Sequence, residues 1–218
     1  MRRYDLVAFD VDGTLVEGPD HMTVWEVLNQ RFTGRPDVNV ERYALYRAGK
    51  LSYAEWVALD IASWRDAGAR REDLLAAFAR LRLIDGARET LAALREAGVR
   101  LYVISGTLDL MLDTLLPAAP FEEVYCNRIR FDAAGRIADW TATPFDMDGK
   151  AQLLRALALR TSIPLARCAY VGDSDNDVWV ARAAGFAVAF NPHSAELEQV
   201  AGAIVRSPDL RDVLPHLL

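Results

Sequence analysis

Short apolar runs and helical patterns take turns along this chain, and that alternation limits the folds open to it. The runs YDLVAF (4–9), RLYVIS (100–105), FEEVYC (121–126), RCAYVG (167–172) and FAVAF (186–190) are rich in β-branched or aromatic residues, and most end at polar residues or glycine. Helical patterns over 87–97, 107–116, 149–160 and 175–184 separate them, with Gly98 and Gly185 as stops. Strand and helix in alternation predict an α/β fold, with a parallel sheet covered on both faces. In such sheets a ligand sits beyond the carboxyl ends of the strands.

One stretch departs from the alternation. From 17 to 84 no strand is expected, only the helical segments TVWEVLNQRF, VERYALYRAGK, SYAEWVALDIASWRDAG and REDLLAAFARL. The expected division is therefore a core of residues 1–16 and 85–218 with a helical cap, 17–84, hung over the end of the first strand. Its Trp25, Trp56 and Trp64 read as packing residues and His21 as a loop histidine. A second irregularity, NRIRFDAAGRIADW (127–140), reads as an antiparallel hairpin turning around Ala133 to Gly135.

Composition removes several classes of function. No segment approaches the roughly 20 apolar residues of a membrane helix. A net charge of −6, with no basic stripe, argues against a nucleic-acid partner. The opening MRRYDLVAFD has too many acids for a signal peptide, which leads to the expectation of a cytoplasmic protein. Cys126 and Cys168 lie in or beside apolar stretches and read as buried free thiols.

Acidic residues gather where strands should end. Asp10 and Asp12 share one face of an extended segment, and two such charges about 4 Å apart repel by roughly 4 kcal/mol at an effective dielectric near 20. YVGDSDNDVW adds Asp173, Asp175 and Asp177 with Asn176 just after another strand, more acids than one helix cap uses. An EF-hand does not explain them. Counted from Asp10, loop position 12 is His21; counted from Asp173, positions 6 and 12 are Val178 and Ala184. If Asp10, Asp12 and Asp173 converge, an all-oxygen site for Mg²⁺ would offset their repulsion.

Two further features suit a phosphate. VISG delivers Ser105 and Gly106 at a strand tip before a helix, and Lys150 opens a helix at a point where the dipole disfavours a cation. Together these residues predict phosphoryl transfer. One carboxylate attacks phosphorus and the other gives a proton to the leaving oxygen, then activates water.

Taken in order, DVDGT, Ser105, Lys150 and GDSDND resemble the four motifs of the haloacid dehalogenase superfamily, over nearly the whole chain. The resemblance implies a Rossmann-like doubly wound core and a phosphatase, because its phosphatases carry the second aspartate. It implies Asp10 as nucleophile and Asp12 as general acid/base. Mg²⁺ would be held by Asp10, Asp12 through its carbonyl, and Asp173, with Asp177 in support. Ser105, Gly106 and Lys150 would hold phosphate, with Asn176 nearby.

The insertion, SGTLDLML and CNRIRFDAAGRI look most like the phosphoserine phosphatase subgroup, which implies a small phosphorylated substrate. Two of its substrate-reading residues are not matched. Pro19 and Asp20 stand where a glutamate is expected, and Asp60 stands where a cap arginine is expected. A carboxylate on the substrate would then be repelled unless Arg65 or Arg47 substitutes. The rival classes are a phosphotransferase or mutase of the same superfamily and a phospho-accepting signalling module.

Overall fold

All four side chains of Leu6–Phe9 (β1) are buried, as a strand covered on both faces requires. In this computed structural model, which describes residues 2–218, β1 lies at the centre of a seven-stranded sheet. Val7 and Phe9 point into one apolar cluster, and Leu6 and Ala8 into a second on the opposite face.

After β1 the chain makes Val16–Glu17 (β2), then four helices: Val24–Thr33 (α1), Val38–Arg47 (α2), Tyr53–Asp66 (α3) and Arg71–Phe78 (α4). It continues through Arg82–Leu83 (β3), Ala87–Glu96 (α5), Arg100–Leu108 (β4), Asp109–Leu115 (α6), Glu123–Phe131 (β5) and Ile137–Thr141 (β6). Gly149–Thr161 (α7), Cys168–Gly172 (β7), Val178–Ala183 (α8), Phe186–Phe190 (β8), Ala195–Val200 (α9) and Ala203–Val205 (β9) follow, and the short helix Leu214–Leu217 (α10) comes last.

The sheet order is β6-β5-β4-β1-β7-β8-β9, parallel throughout except for β6. From β1 the chain works outward through β4 and β5 to β6, then crosses back to β7 on the other side of β1 and works outward through β8 and β9, so the strand order reverses between β1 and β7. That is the topological switch point of a doubly wound sheet, where the crevice for a ligand opens.

Three expectations need correction. The stretch 17–84 is not wholly helical: Val16–Glu17 pairs antiparallel with Arg82–Leu83, so the two chain segments entering and leaving the helices are joined to each other. Such short segments carry no period-2 pattern to read. The strand holding Ser105 continues to Leu108 with an irregular register, and its helix starts at Asp109, not 107. The helix expected over 175–184 opens as a single 3₁₀ turn, Asp175–Asp177, before α8. The hairpin expected over 127–140 forms, and its first arm is the far half of a long strand, since β5 pairs parallel with β4 and antiparallel with β6.

Local signals explain the helix starts beneath this architecture. Thr23 and Glu26 form a capping box on α1, and Ser52 and Glu55 form another on α3. Cys126 and Cys168 are buried and unpaired. Among the described residues, no helix is long and apolar enough to cross a membrane.

Candidate active site

Asp10 follows β1 and Asp173 follows β7, its neighbour in the sheet, so both acids leave the same edge. Asp10 is fixed there by its own N–H, which donates to Val171 O at 2.9 Å. Oxygens of Asp10, Asp173 and Asp177 lie within 4.8 Å of one another, all three residues buried. Lys150, second residue of α7, is fully buried among them. Its Nζ donates to Asp10 Oδ1 at 2.6 Å and to Asp177 Oδ1 at 2.7 Å.

Electrostatics follow from that crowding. Burial, opposed by Lys150, pushes the Asp10 carboxyl up to about 8. Burial and the neighbouring charges of Asp10 and Asp177 push Asp173 well up too. Lys150 resists its own desolvation because Asp10 and Asp177 hold it charged, well above the ordinary lysine value. One lysine does not neutralise three buried carboxylates. Hard, all-oxygen donors in that deficit fit a hard divalent cation.

Asp177 has little capacity left as a ligand. Its Oδ2 accepts from the N–H groups of Asp173 at 2.9 Å and Ser174 at 3.1 Å, while Oδ1 accepts from Lys150 and, at 2.7 Å, from Tyr170 Oη. Four acceptor sites meet four donors, so Asp177 braces the loop that presents Asp173. The Asp12 carboxylate stands outside the cluster. Its Oδ1 accepts from Val24 N at 2.8 Å, at the first turn of α1, and burial pushes its carboxyl up to about 6. Between these acids Gly13 has φ +84°, and a Cβ there would overlap the Asp173 carboxylate.

Ser105 is buried, and its Oγ accepts from Thr107 N at 3.1 Å. At Gly106 a Cβ would collide with Asp146 Oδ2 and Tyr53 Oη, so the backbone approaches these groups as only glycine allows. Gly106 O accepts from Trp25 Nε1 at 2.9 Å and Asn127 Nδ2 at 2.6 Å. Asn176 Nδ2 donates to Asp146 Oδ1 at 3.1 Å. The structure thus gathers Asp10, Asp173 and Asp177 into one cluster, with Lys150 bonded to Asp10 and Asp177. Asp12, Ser105, Gly106 and Asn176 join Asp10 and Asp173 on the wall of one cleft of about 380 Å³.

Around the site stand residues that the sequence did not single out. Asp146, Asn127 and Tyr170 support the site, and of these only Asp146 carried a readable signal, lying four residues before Lys150. Trp25 and Trp56 line the cleft instead of serving only as packing, whereas Trp64 is fully buried and donates to Asn29 Oδ1 at 2.7 Å. His21 is exposed, 5.5 Å from the ring of His193. Asp60 is fully buried and paired with Arg42 of α2, a cation the spacing did not suggest. Neither Arg65, stacked on Trp140, nor Arg47, over Tyr43 and Trp179, lines the cleft.

Comparison with known proteins adds an independent line. The profile of the family described as haloacid dehalogenase-like hydrolase matches residues 4–185. Phosphoserine phosphatase SerB2 of Mycobacterium tuberculosis is 33% identical over 210 residues, covering 96% of this chain and 49% of that protein. The phosphoserine phosphatase of Halobacterium salinarum is 32% identical over 192 residues, covering 86% of each. The chain spans about half the length of the first of these, and likewise of the Streptomyces coelicolor phosphoserine phosphatase, at 50%. A phosphoserine phosphatase solved as an analogue of its phospho-aspartyl intermediate superposes with a TM-score of 0.80 at 22% identity, covering 99% of this chain and all of the other.

Proposed function

The chain belongs to the haloacid dehalogenase-like hydrolase family, and from that premise we propose that it is a Mg²⁺-dependent phosphomonoester hydrolase acting on a small phosphorylated metabolite. One observation carries the reading: Asp10, Asp173 and Asp177 crowd around Lys150 at the switch point of the sheet, with Asp12 raised toward neutrality beside them.

In the first step an Asp10 oxygen forms a bond to phosphorus as the ester P–O bond breaks. Asp12, protonated, gives its proton to the leaving alkoxide. In the second step the Asp12 carboxylate takes a proton from water, whose oxygen bonds to phosphorus while the acyl-phosphate bond breaks and Asp10 returns as carboxylate. Asp10, Asp173 and the Asp12 carbonyl would hold Mg²⁺, which supplies charge neutralisation for the phosphoryl group. Lys150 holds Asp10 in place, and Asp177 holds Lys150. Ser105, Gly106 and Asn176 are the residues we assign to the phosphate. The separate environments of Asp10 and Asp12 support the divided roles.

We read residues 17–84 as a cap that covers this chemistry and limits bulk water, and the compartment as cytoplasm, where buried free thiols are at home. The acidic net charge supports a metabolite rather than a nucleic acid as partner.

The test is a panel of phosphorylated amino acids, sugars and nucleotides with and without Mg²⁺. Hydrolysis should stop with a chelator and return with Mg²⁺. Asp10→Asn should abolish turnover with the fold retained by circular dichroism. Unchanged turnover in that variant would end the proposal.

A further inference from the structure

The cleft wall above the reaction centre has a definite chemistry. Its carboxylates away from Asp10, Asp12 and Asp173 are those of Glu26, Asp60, Asp146 and Asp175, and among the described residues no arginine, lysine or histidine lines it. Trp25, Tyr43, Tyr53 and Trp56 supply aromatic surface to the same wall. Four buried oxygens in this lining lack any hydrogen-bond partner: Asn39 Oδ1, Asp60 Oδ2, Thr107 Oγ1 and Asn176 Oδ1. The Thr107 hydroxyl can donate or accept, but the other three, two amide oxygens and a carboxylate oxygen, only accept, so they call for a donor.

Asp60 is the most telling of them. Its residue is 0% exposed; Oδ1 takes Asn29 Nδ2 at 2.7 Å and the Arg42 guanidinium, and Oδ2 is left over. Arg42 balances the charge of Asp60 but does not itself line the cleft, so the wall presents no net cation to a carboxylate. A substrate carboxylate placed there would meet Glu26, Asp146 and Asp175 and no cation on the lining. A protonated amine would meet acceptors, negative charge and aromatic faces together, the combination that binds alkylammonium ions.

Resting on the phosphatase reading above, we propose that the physiological leaving group is an amino alcohol: a phosphomonoester whose organic part ends in a protonated amine and carries no carboxylate. The acidic wall is then a selectivity device against carboxylate-bearing esters as much as a seat for the amine.

The experiment measures two quantities on the full chain with Mg²⁺. Calorimetry on Asp10→Asn compares O-phosphoethanolamine with O-phospho-L-serine, glycerol 3-phosphate and glucose 6-phosphate. Initial rates of the unmodified protein are taken on the same esters and on para-nitrophenyl phosphate. Phosphoethanolamine should bind at least tenfold tighter than each of the others and show the highest kcat/KM of the four. Val40, 68% exposed and on the cleft lining, offers a second check: Val40→Arg should narrow the gap between phosphoethanolamine and phosphoserine by at least threefold. Equal or tighter binding of phosphoserine or of a neutral ester, or an unmoved ratio in Val40→Arg, overturns the inference. Selective binding without hydrolysis of any ester, para-nitrophenyl phosphate included, overturns the hydrolase reading alone. Hydrolysis without amine preference overturns the amino-alcohol assignment alone, and no binding of any ester overturns both.

Discussion

Asp10 and Asp12 are two residues apart and have opposite surroundings, and that difference is the smallest unit of the chemistry. Asp10 faces Lys150; Asp12 faces the N-terminal turn of α1 and takes the Val24 N–H. With its carboxyl near 6, Asp12 is an acid that still holds its proton in mildly acidic solution. The leaving-group step of the proposed reaction needs that proton, so kcat should decline as pH rises above about 6. Asp12→Asn should cost about 10²- to 10⁴-fold in kcat and remove that limb from the pH profile. A variant retaining the limb would assign it elsewhere. This pairing was legible in DVDGT because extended backbone puts alternate residues on one face. What divides the two acids was not, since Val24 and Lys150 come from elements that only the folded chain brings to them.

At the scale of elements, β4 and α1 meet through Gly106, whose carbonyl takes Trp25 Nε1 from α1 and Asn127 Nδ2 from β5. Gly106→Ala should therefore strain the junction from the Asp146 and Tyr53 sides, with a loss of about 1–3 kcal/mol in urea denaturation and a larger relative loss in kcat/KM. Ordinary stability with full activity would show that the junction yields. Strands β1, β7 and β8 were readable as continuous apolar runs bounded by polar residues or glycine, the pattern of strands buried on both faces. The three-residue β9 and the two-residue β2 and β3 were not, because segments so short have no period to detect. Arg42 was missed for a different reason. Its partner Asp60 lies 18 residues away on the next helix, and only helix packing sets them face to face.

The molecule as a whole stores a charge imbalance at the middle of its sheet. Asp10 and Asp12 hold their protons in the folded state up to about 8 and about 6, while the same groups unfolded release them near 3.8. Between those values the unfolded chain binds fewer protons, so the stability of the metal-free protein should fall as pH rises from about 4 toward 8. Added Mg²⁺ should restore much of it, and raise Tm more at pH 8 than at pH 5, as thermal denaturation can follow. A Tm rise independent of pH would place the cation away from these acids. Because β2 and β3 clasp each other at the neck of the helical insertion, the two chain crossings are tied into a single stem. Severing one strand of that stem, for example by a protease site introduced beside it, should leave the four helices tethered and in register through the other, so that the nicked protein stays a single assembly until denaturant parts the halves.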